Sequence, residues 1–547
     1  VKYRVLNQNI LFGMLLVVFM WHIGRFVNDF YVPESDFFDF RAKAMALRNG
    51  EWPEDFKRPP LYALILAPIS SLFQGVQREL HAAEALNVVA AVVSFWLIYA
   101  IGRHLFPRFA LVFLWAWAFH PSTVRMVVKP KSEIMVTVFI LASIYFFLKE
   151  KRWAYFTAFL ASMVRYEGAL VIAAIGLADF IYRPRKIRTL ATAFSAGIFI
   201  VLWTVLQSNG GDGGSYFSYF NEYKPNLQFF KFFWQGLLGF FPPQTFKLFF
   251  GCSFALFVYG MIVHYRKEAR QAVAFMILFA GFILMHVVWP MPNFDYQVII
   301  AWNVLIFIIF GAMGAGKYVY QHDAEVRRWL AKPGYLVISF ALFILVTALL
   351  MFKPVSFPQY RVEWSTFLIL FASIAIVLWS LLRVEEQPPV IFMMCAVFFM
   401  SITYWMSSAT NGQQYDFRYS KAEFRMVAEW FAAHYEPGDQ MVAEQPTIIS
   451  FYSAIAEDAF IKPTELPDLD PPALHEWLKN RHVTYIAWMS ANRIFATDNA
   501  WFQWKMDNRG WKIIHFLGNG QSQPGFQLLQ EITVGPRKAY IYKITSE

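Results

Sequence analysis

Apolar residues fall in long runs along this chain, and short polar segments separate them. Runs near 10–30, 84–101, 109–120, 133–148, 190–207, 246–263, 271–289, 297–313, 335–352, 365–382 and 389–407 read as membrane helices, for which about 20 predominantly apolar residues are the norm. The segment 154–182 differs: Arg165-Tyr166-Glu167-Gly168 interrupts it near the middle, and basic turns bound it on both sides. Eleven residues of helix reach only about 16 Å, half of a hydrocarbon core, and charges at that depth must face protein or a water-filled cavity. The pattern therefore predicts a hairpin of two short helices whose apex approaches an internal site. The total is about 13 membrane helices.

The first outside loop, 31–81, holds an amphipathic stretch, Phe38 to Asn49, and an apolar piece opened by two prolines, Pro59 to Phe73. The latter is short for a span and reads as a helix in the membrane interface. A glycine run at 209–215 reads as a linker, and aromatic residues 229–241 as a second interfacial helix. From about 408 the pattern changes. A helical period over 420–434 is followed by the turn Glu436-Pro437-Gly438-Asp439. Strands are predicted at Met441–Ala443, Val483–Ala487, Lys512–His515 and Ala539–Tyr542, with a helix over Leu474–Lys479. The expected organisation is a polytopic α-helical membrane domain, 1–407, followed by a small α/β domain, 408–547.

Charge orients this arrangement. Basic residues cluster at Arg103 and Arg108, Lys149 to Arg152, Arg183 to Arg188, Arg266 to Arg270 and Arg327 to Lys332. Every second connection is thus basic, as the positive-inside rule requires of cytoplasmic loops. With Lys2 and Arg4 ahead of the first run, the N-terminus is expected in the cytoplasm. The odd number of helices then leaves the C-terminal domain outside. The net charge of +10 follows from these loops and implies no nucleic-acid partner. At 57% hydrophobic and 16% charged, the composition itself excludes an ordinary soluble domain of this length. Cys252 and Cys395 both lie in apolar runs, so no disulfide framework is expected. The first run lacks a small-residue cleavage site and reads as an uncleaved helix.

Candidate chemistry concentrates in the first loop: Ser35-Asp36-Phe37-Phe38-Asp39-Phe40, a small-residue helix through Ala46, Gly50, and Lys57-Arg58-Pro59-Pro60-Leu61-Tyr62. Ser35 or Asp36 also suits a helix N-cap. The combination nevertheless resembles the first loop of the GT-C superfamily of membrane glycosyltransferases, with bacterial relatives of the protein O-mannosyltransferases and of the lipid A aminoarabinose transferase the nearest likeness. Asp36, Phe40, Ala42 to Ala46, Gly50 and Arg58 to Tyr62 carry it. Ser132-Glu133, Arg165-Tyr166-Glu167-Gly168 and Glu436 to Asp439 extend it along the chain.

The resemblance implies inverting sugar transfer from a polyprenyl-phosphate donor, with a first-loop aspartate as general base. Asp36 is the first candidate, Asp39 the second, and Glu133 a third carboxylate. A sugar hydroxyl is a poor nucleophile, and a carboxylate within reach must take its proton. The departing phosphate needs fixed cations. Lys57, Arg58, Arg125, Lys129, Lys131 and Arg165 map to the outside half or to the hairpin apex, with Tyr62 and Glu167 beside them. Structural readings stand alongside: Arg125, Lys129 and Lys131 as interface flanks, Glu133 as a dipole partner of its helix, Arg165 and Glu167 as an ion pair. The family's late Arg-Tyr is replaced here by Asp295-Tyr296, with His286 nearby. Asp36 and Glu133 could share a divalent metal, although no pair of ligands fixes a site. The implied partners are a polyprenyl-phosphate-linked sugar, membrane lipid, and a glycan, lipid or protein acceptor. The implied location is a bacterial inner membrane. A transporter or flippase is the alternative, and only 154–182 has the broken helices that it requires.

Overall fold

The computed structural model describes residues 2–24, 32–33, 35–52, 58–75, 77–127, 129–209, 247–288, 296–322, 364–382, 421–489, 511–535 and 537–545. Two compact units emerge. The first comprises Val1–Arg25 and Phe40–Thr410, the second Phe26–Asp39 and Asn411–Glu547.

Among the described residues the first unit is helical. The first helix, α1, is Lys2–Gly24. Next, α2, Ser35–Arg48, passes from the second unit into the first. After it come α3, Leu61–Ser70, and α4, Arg78–Leu105. The helix expected at 109–120 is α5, Ala110–Ala118, and a short helix that the apolar run did not predict, α6, Pro121–Val127, follows it. Proline has no N–H to donate into a preceding turn, so Pro121 starts a helix rather than extending one. Helix α7, Glu133–Leu148, has the boundaries that the apolar run predicts.

The interrupted segment forms α8, Trp153–Val164, a single 3-10 turn at Tyr166–Gly168, and α9, Ala169–Tyr182. These two helices are a hairpin. The Tyr155 hydroxyl near the start of α8 donates to Asp179 Oδ2 near the end of α9 at 3.0 Å. Arg270 adds a 2.7 Å bond from Nε to Asp179 Oδ1, and Arg183 pairs with the same oxygen at 2.9 Å. The legs are therefore tied at the end opposite Arg165.

The remaining described helices of this unit are α10, Lys186–Asn209, α11, Lys247–Lys267, α12, Ala269–Val288, α13, Gln297–His322, and α14, Trp364–Leu382. Helix α7 packs between α4 and α8, α12 lies along α9, and α11 lies along α13. Four of the described helices are long and apolar enough to cross a bilayer. One of them, α10, turns an apolar face outward. On α10, Ile187, Phe194 and Val201 are 85%, 68% and 56% exposed, and exposed apolar faces of that size need a nonaqueous neighbour. The expected helices at 335–352 and 389–407, the glycine run and the aromatic stretch at 229–241 lie outside the described residues.

The second unit carries a five-stranded sheet. Its strands are β1, Met441–Val442, β2, Phe460–Ile461, β3, Tyr485–Met489, β4, Phe526–Val534, and β5, Arg537–Ile544. Their order is β2-β1-β3-β5-β4, parallel through the first three and antiparallel for the last two. Helices α15, Ala422–His434, α16, Pro446–Ser453, and α17, Pro471–Asn480, complete it. Asp470 caps α17, accepting from the Ala473 N–H at 3.1 Å. One predicted strand is overturned. Residues Trp511–Ile514 are a helical turn, α18, continued by a 3-10 turn at His515–Asn519. The spacing of Ile514 and Leu517 buries both in the core beside Trp488 and Tyr542. Two adjacent isoleucines between Lys512 and His515 do not by themselves distinguish the two periods.

Candidate active site

The motif residues of the first loop that belong to the helical unit come together. Phe40, on α2, packs its ring 4.7 Å from that of Tyr62, on α3. The Arg58 guanidinium lies over Phe40 at 5.3 Å. Lys43 Nζ donates to the Arg58 carbonyl at 3.3 Å, which fixes the Pro-Pro segment against α2. Arg58 and Tyr62 are both buried. The Tyr62 hydroxyl has no hydrogen-bond partner among the described residues, and it lies within electrostatic range of Glu133. A buried phenol in this state is poised for a polar group brought by a ligand or by water.

A second cluster forms where the hairpin apex meets the start of α7. Arg165 Nη1 donates to Ser132 Oγ at 3.2 Å and to Glu133 Oε1 at 3.1 Å. Its Nη2 and Nε donate to Glu167 Oε1 at 2.8 Å and Oε2 at 3.2 Å. The guanidinium also stacks over Tyr296 at 5.1 Å. All three charged groups are buried. Two carboxylates thus embrace one guanidinium, an arrangement that holds in a low dielectric only because each charge is hydrogen-bonded. His286 extends the cluster: its ring is 4.8 Å from Tyr296 and its Nδ1 is 2.8 Å from the Phe282 carbonyl. Gly168 makes the apex possible. A Cβ there would stand 2.2 Å from the Ala161 backbone, so only glycine lets α9 begin against the end of α8.

Between α6 and α7 the chain supplies two more buried cations, Lys129 and Lys131. The Lys131 N–H donates to the Lys129 carbonyl at 2.7 Å, which closes a γ-turn around Pro130. Asn87 on α4 donates from Nδ2 to that same carbonyl. The turn is therefore anchored to a helix 42 residues earlier.

The remaining expected residues are placed as follows. Asp36 and Asp39 lie one turn apart on α2, both half-buried, in the segment that clusters with the second unit. Asp36 sits inside the first turn of the helix, not at the cap ahead of it. Glu133 occupies the first turn of α7, so the dipole and ion-pair readings both apply to it. Arg125 is carried by α6, with its side chain outside the described set, and Lys57 and Asp295 also lie outside the described residues. No group of three or more His, Cys, Asp or Glu side chains among the described residues could hold a metal ion.

Two residues escaped the sequence reading. Asn87 is one. Glu79 is the other: it meets Arg48 at 2.7 Å, Arg78 at 3.0 Å and Arg41 at 3.7 Å, and so ties α2 to the start of α4. A carboxylate opening a long apolar run was the available signal.

The described helices thus form an apolar helical unit, with a charged hairpin apex packed against the start of α7. No protein-family model and no curated protein matches the sequence. Two solved structures of ArnT from Cupriavidus metallidurans are similar to the chain. The form bound to undecaprenyl phosphate matches across 100% of this chain and 98% of that one, with a TM-score of 0.53 and 12% identity. The apo form matches across 99% and 98%, again at 0.53 and 12%. The likeness spans essentially the full length and is one of fold.

Proposed function

We propose that this chain is an inverting glycosyltransferase that takes a sugar from a polyprenyl-phosphate donor and passes it to an acceptor hydroxyl on the extracytoplasmic side. One observation carries the reading. A buried cluster of Arg165, Glu133 and Glu167 stands at the apex of a membrane hairpin, in a fold similar to that of an ArnT bound to undecaprenyl phosphate.

The chemistry follows from the residue types. Attack of the acceptor oxygen on the anomeric carbon forms one C–O bond as the bond to the phosphate oxygen breaks. Asp36 takes the acceptor proton, with Asp39 one turn away as the second candidate. The charge that develops on the leaving lipid phosphate is met by Lys129, Lys131 and Arg58. Arg165 is largely occupied by carboxylates, and we assign it a positioning role, holding Glu133 and Glu167 at a fixed depth. Tyr62 offers its hydroxyl to the donor. The acceptor is a lipid-linked glycan, a cell-wall polymer or a protein. The enzyme belongs in a bacterial inner membrane with its second unit outside.

The test is transfer of radiolabelled sugar from polyprenyl-phosphate donors to membrane extracts, comparing wild type with Asp36→Asn in matched, folded preparations. Loss of about 10²-fold or more in the variant, with donor binding retained, is expected for a general base. Undiminished transfer in Asp36→Asn moves the role to Asp39 or Glu133. Accumulation of intact donor across sealed vesicles, with no sugar released, overturns the transferase reading in favour of transport.

A further inference from the structure

The second unit contains a cleft of about 340 Å³, and of its lining residues only Asp39 has a place in the chemistry above. It is built from three pieces of chain: the first turn of α2, the loop entering α16, and the loop after β2. Phe37 and Phe38 pack edge-on against Phe451 of α16, with ring centres 6.3 and 5.5 Å apart. Asp39 lines the cleft together with Glu444, Thr447, Lys462 and Thr464.

The polar groups are arranged by the fold rather than by chance exposure. Glu444 is only 7% exposed. The Thr447 hydroxyl donates to Glu457 Oε1 at 2.9 Å, so its oxygen is presented as an acceptor. Gln445 Oε1 accepts from Lys421 Nζ at 2.9 Å, which turns the amide nitrogen into the available donor. Gln445 has a φ of +52°, a left-handed conformation that disfavours a residue with a Cβ. Such strain is retained where surrounding structure demands one side-chain direction. Between the polar groups, Phe38, Pro446 and Pro463 supply flat apolar surface.

Carboxylates, hydroxyls, an amide and an ammonium spaced around small apolar plates match the surface of a pyranose or furanose ring. Such a ring presents hydroxyls at its rim and C–H groups on its faces. The volume falls within the roughly 300–1,000 Å³ range of small-molecule sites. We propose that this cleft is the subsite for a sugar ring of the acceptor, placed beside the first-loop carboxylates. The proposal deepens the transferase reading and rests on it for the word acceptor. The cleft's affinity for a sugar can be read independently.

The experiment uses the full chain in lipid nanodiscs and saturation-transfer NMR. The probes are the methyl glycosides of a hexose, an N-acetylhexosamine and a pentose. At least one probe binds wild type, and Glu444→Gln and Thr447→Val each weaken it by about tenfold, the scale of losing one hydrogen bond to a charged or buried partner. Lys462→Met at the rim gives a second readout if either buried variant unfolds, and the thermal midpoint reports that. On the same preparations, release of sugar from radiolabelled donor to water stays at the wild-type rate. Failure of every probe to bind wild type overturns the proposal, as does equal binding by the variants. Donor cleavage that falls in parallel with glycoside binding also overturns it, because the residues then serve the reaction centre or the fold. A wild type that binds glycosides but never cleaves donor keeps the cleft and overturns the transferase reading.

Discussion

At the scale of single residues, Glu79 shows how one side chain can organise a loop. Three guanidinium groups share its carboxylate, and their side chains are 26%, 18% and 38% exposed for Arg41, Arg48 and Arg78. Replacing it with glutamine leaves those cations around a neutral amide. The expected loss is about 1–3 kcal/mol, less than for a fully buried pair because the arginines reach water. Thermal unfolding of the purified variant measures it. Tyr542 gives a pH-dependent counterpart in the second unit. Burial pushes its phenol up to about 12 from 10.0, and its hydroxyl donates to the Leu517 carbonyl at 2.6 Å. A group raised in the folded state stabilises fully below its unfolded value and stops doing so as pH climbs through the folded one. The second unit should therefore lose stability between about pH 10 and 12, a loss absent in Tyr542→Phe, as followed by tryptophan fluorescence. Arg165 and Glu133 were legible in the sequence because charges in apolar runs stand out. Glu79 and Asn87 were not, because their partners lie 31 and 42 residues away and no local pattern encodes the pairing.

Between elements, close approach rather than charge decides the packing of α11 on α13. A Cβ on Gly260 would fall 1.7 Å from the Phe307 carbonyl oxygen, and one on Gly311 would fall 2.0 Å from that of Leu256. The helices cross where each lacks a side chain, the packing that small residues permit in membranes. Gly260→Ala must push them apart and is expected to cost about 1–3 kcal/mol or more. Gly197 on α10 has nothing within 4 Å of a would-be Cβ. Gly197→Ala should be neutral or stabilising by up to about 1 kcal/mol. Melting curves of the two variants side by side check the pair. Elements with a long period, such as α7 and the α8–α9 hairpin, could be read from the sequence to within a residue or two. The short helix α6 and the helical turn at Trp511–Ile514 could not, because a few residues fit either period and tertiary burial makes the choice.

For the whole molecule, the alternation of basic connections makes a claim about sidedness. The second unit is expected outside the cell. Cysteine placed at the exposed Gln521 should react with a membrane-impermeant maleimide in intact cells, once the outer envelope is permeabilised. Labelling that needs rupture of the inner membrane would put the unit in the cytoplasm. The sequence made the division into an apolar and a polar portion visible through composition alone. It gave no sign that residues 26–39 cluster with the C-terminal portion, because a segment's allegiance depends on contacts such as Phe38 with Phe451.

The hairpin carries one more consequence. Its legs of 12 and 14 residues are pinned at their base by Tyr155, Asp179 and Arg270. Such a structure works like a surveyor's staff of fixed height. Inserting one helical turn into both legs would lift the tip by about 5.4 Å. Glu133 is carried by a different helix and would stay behind. The lipid donor proposed above would be held at a depth set by the membrane, so the length of those legs would select which level of the bilayer the charged tip serves.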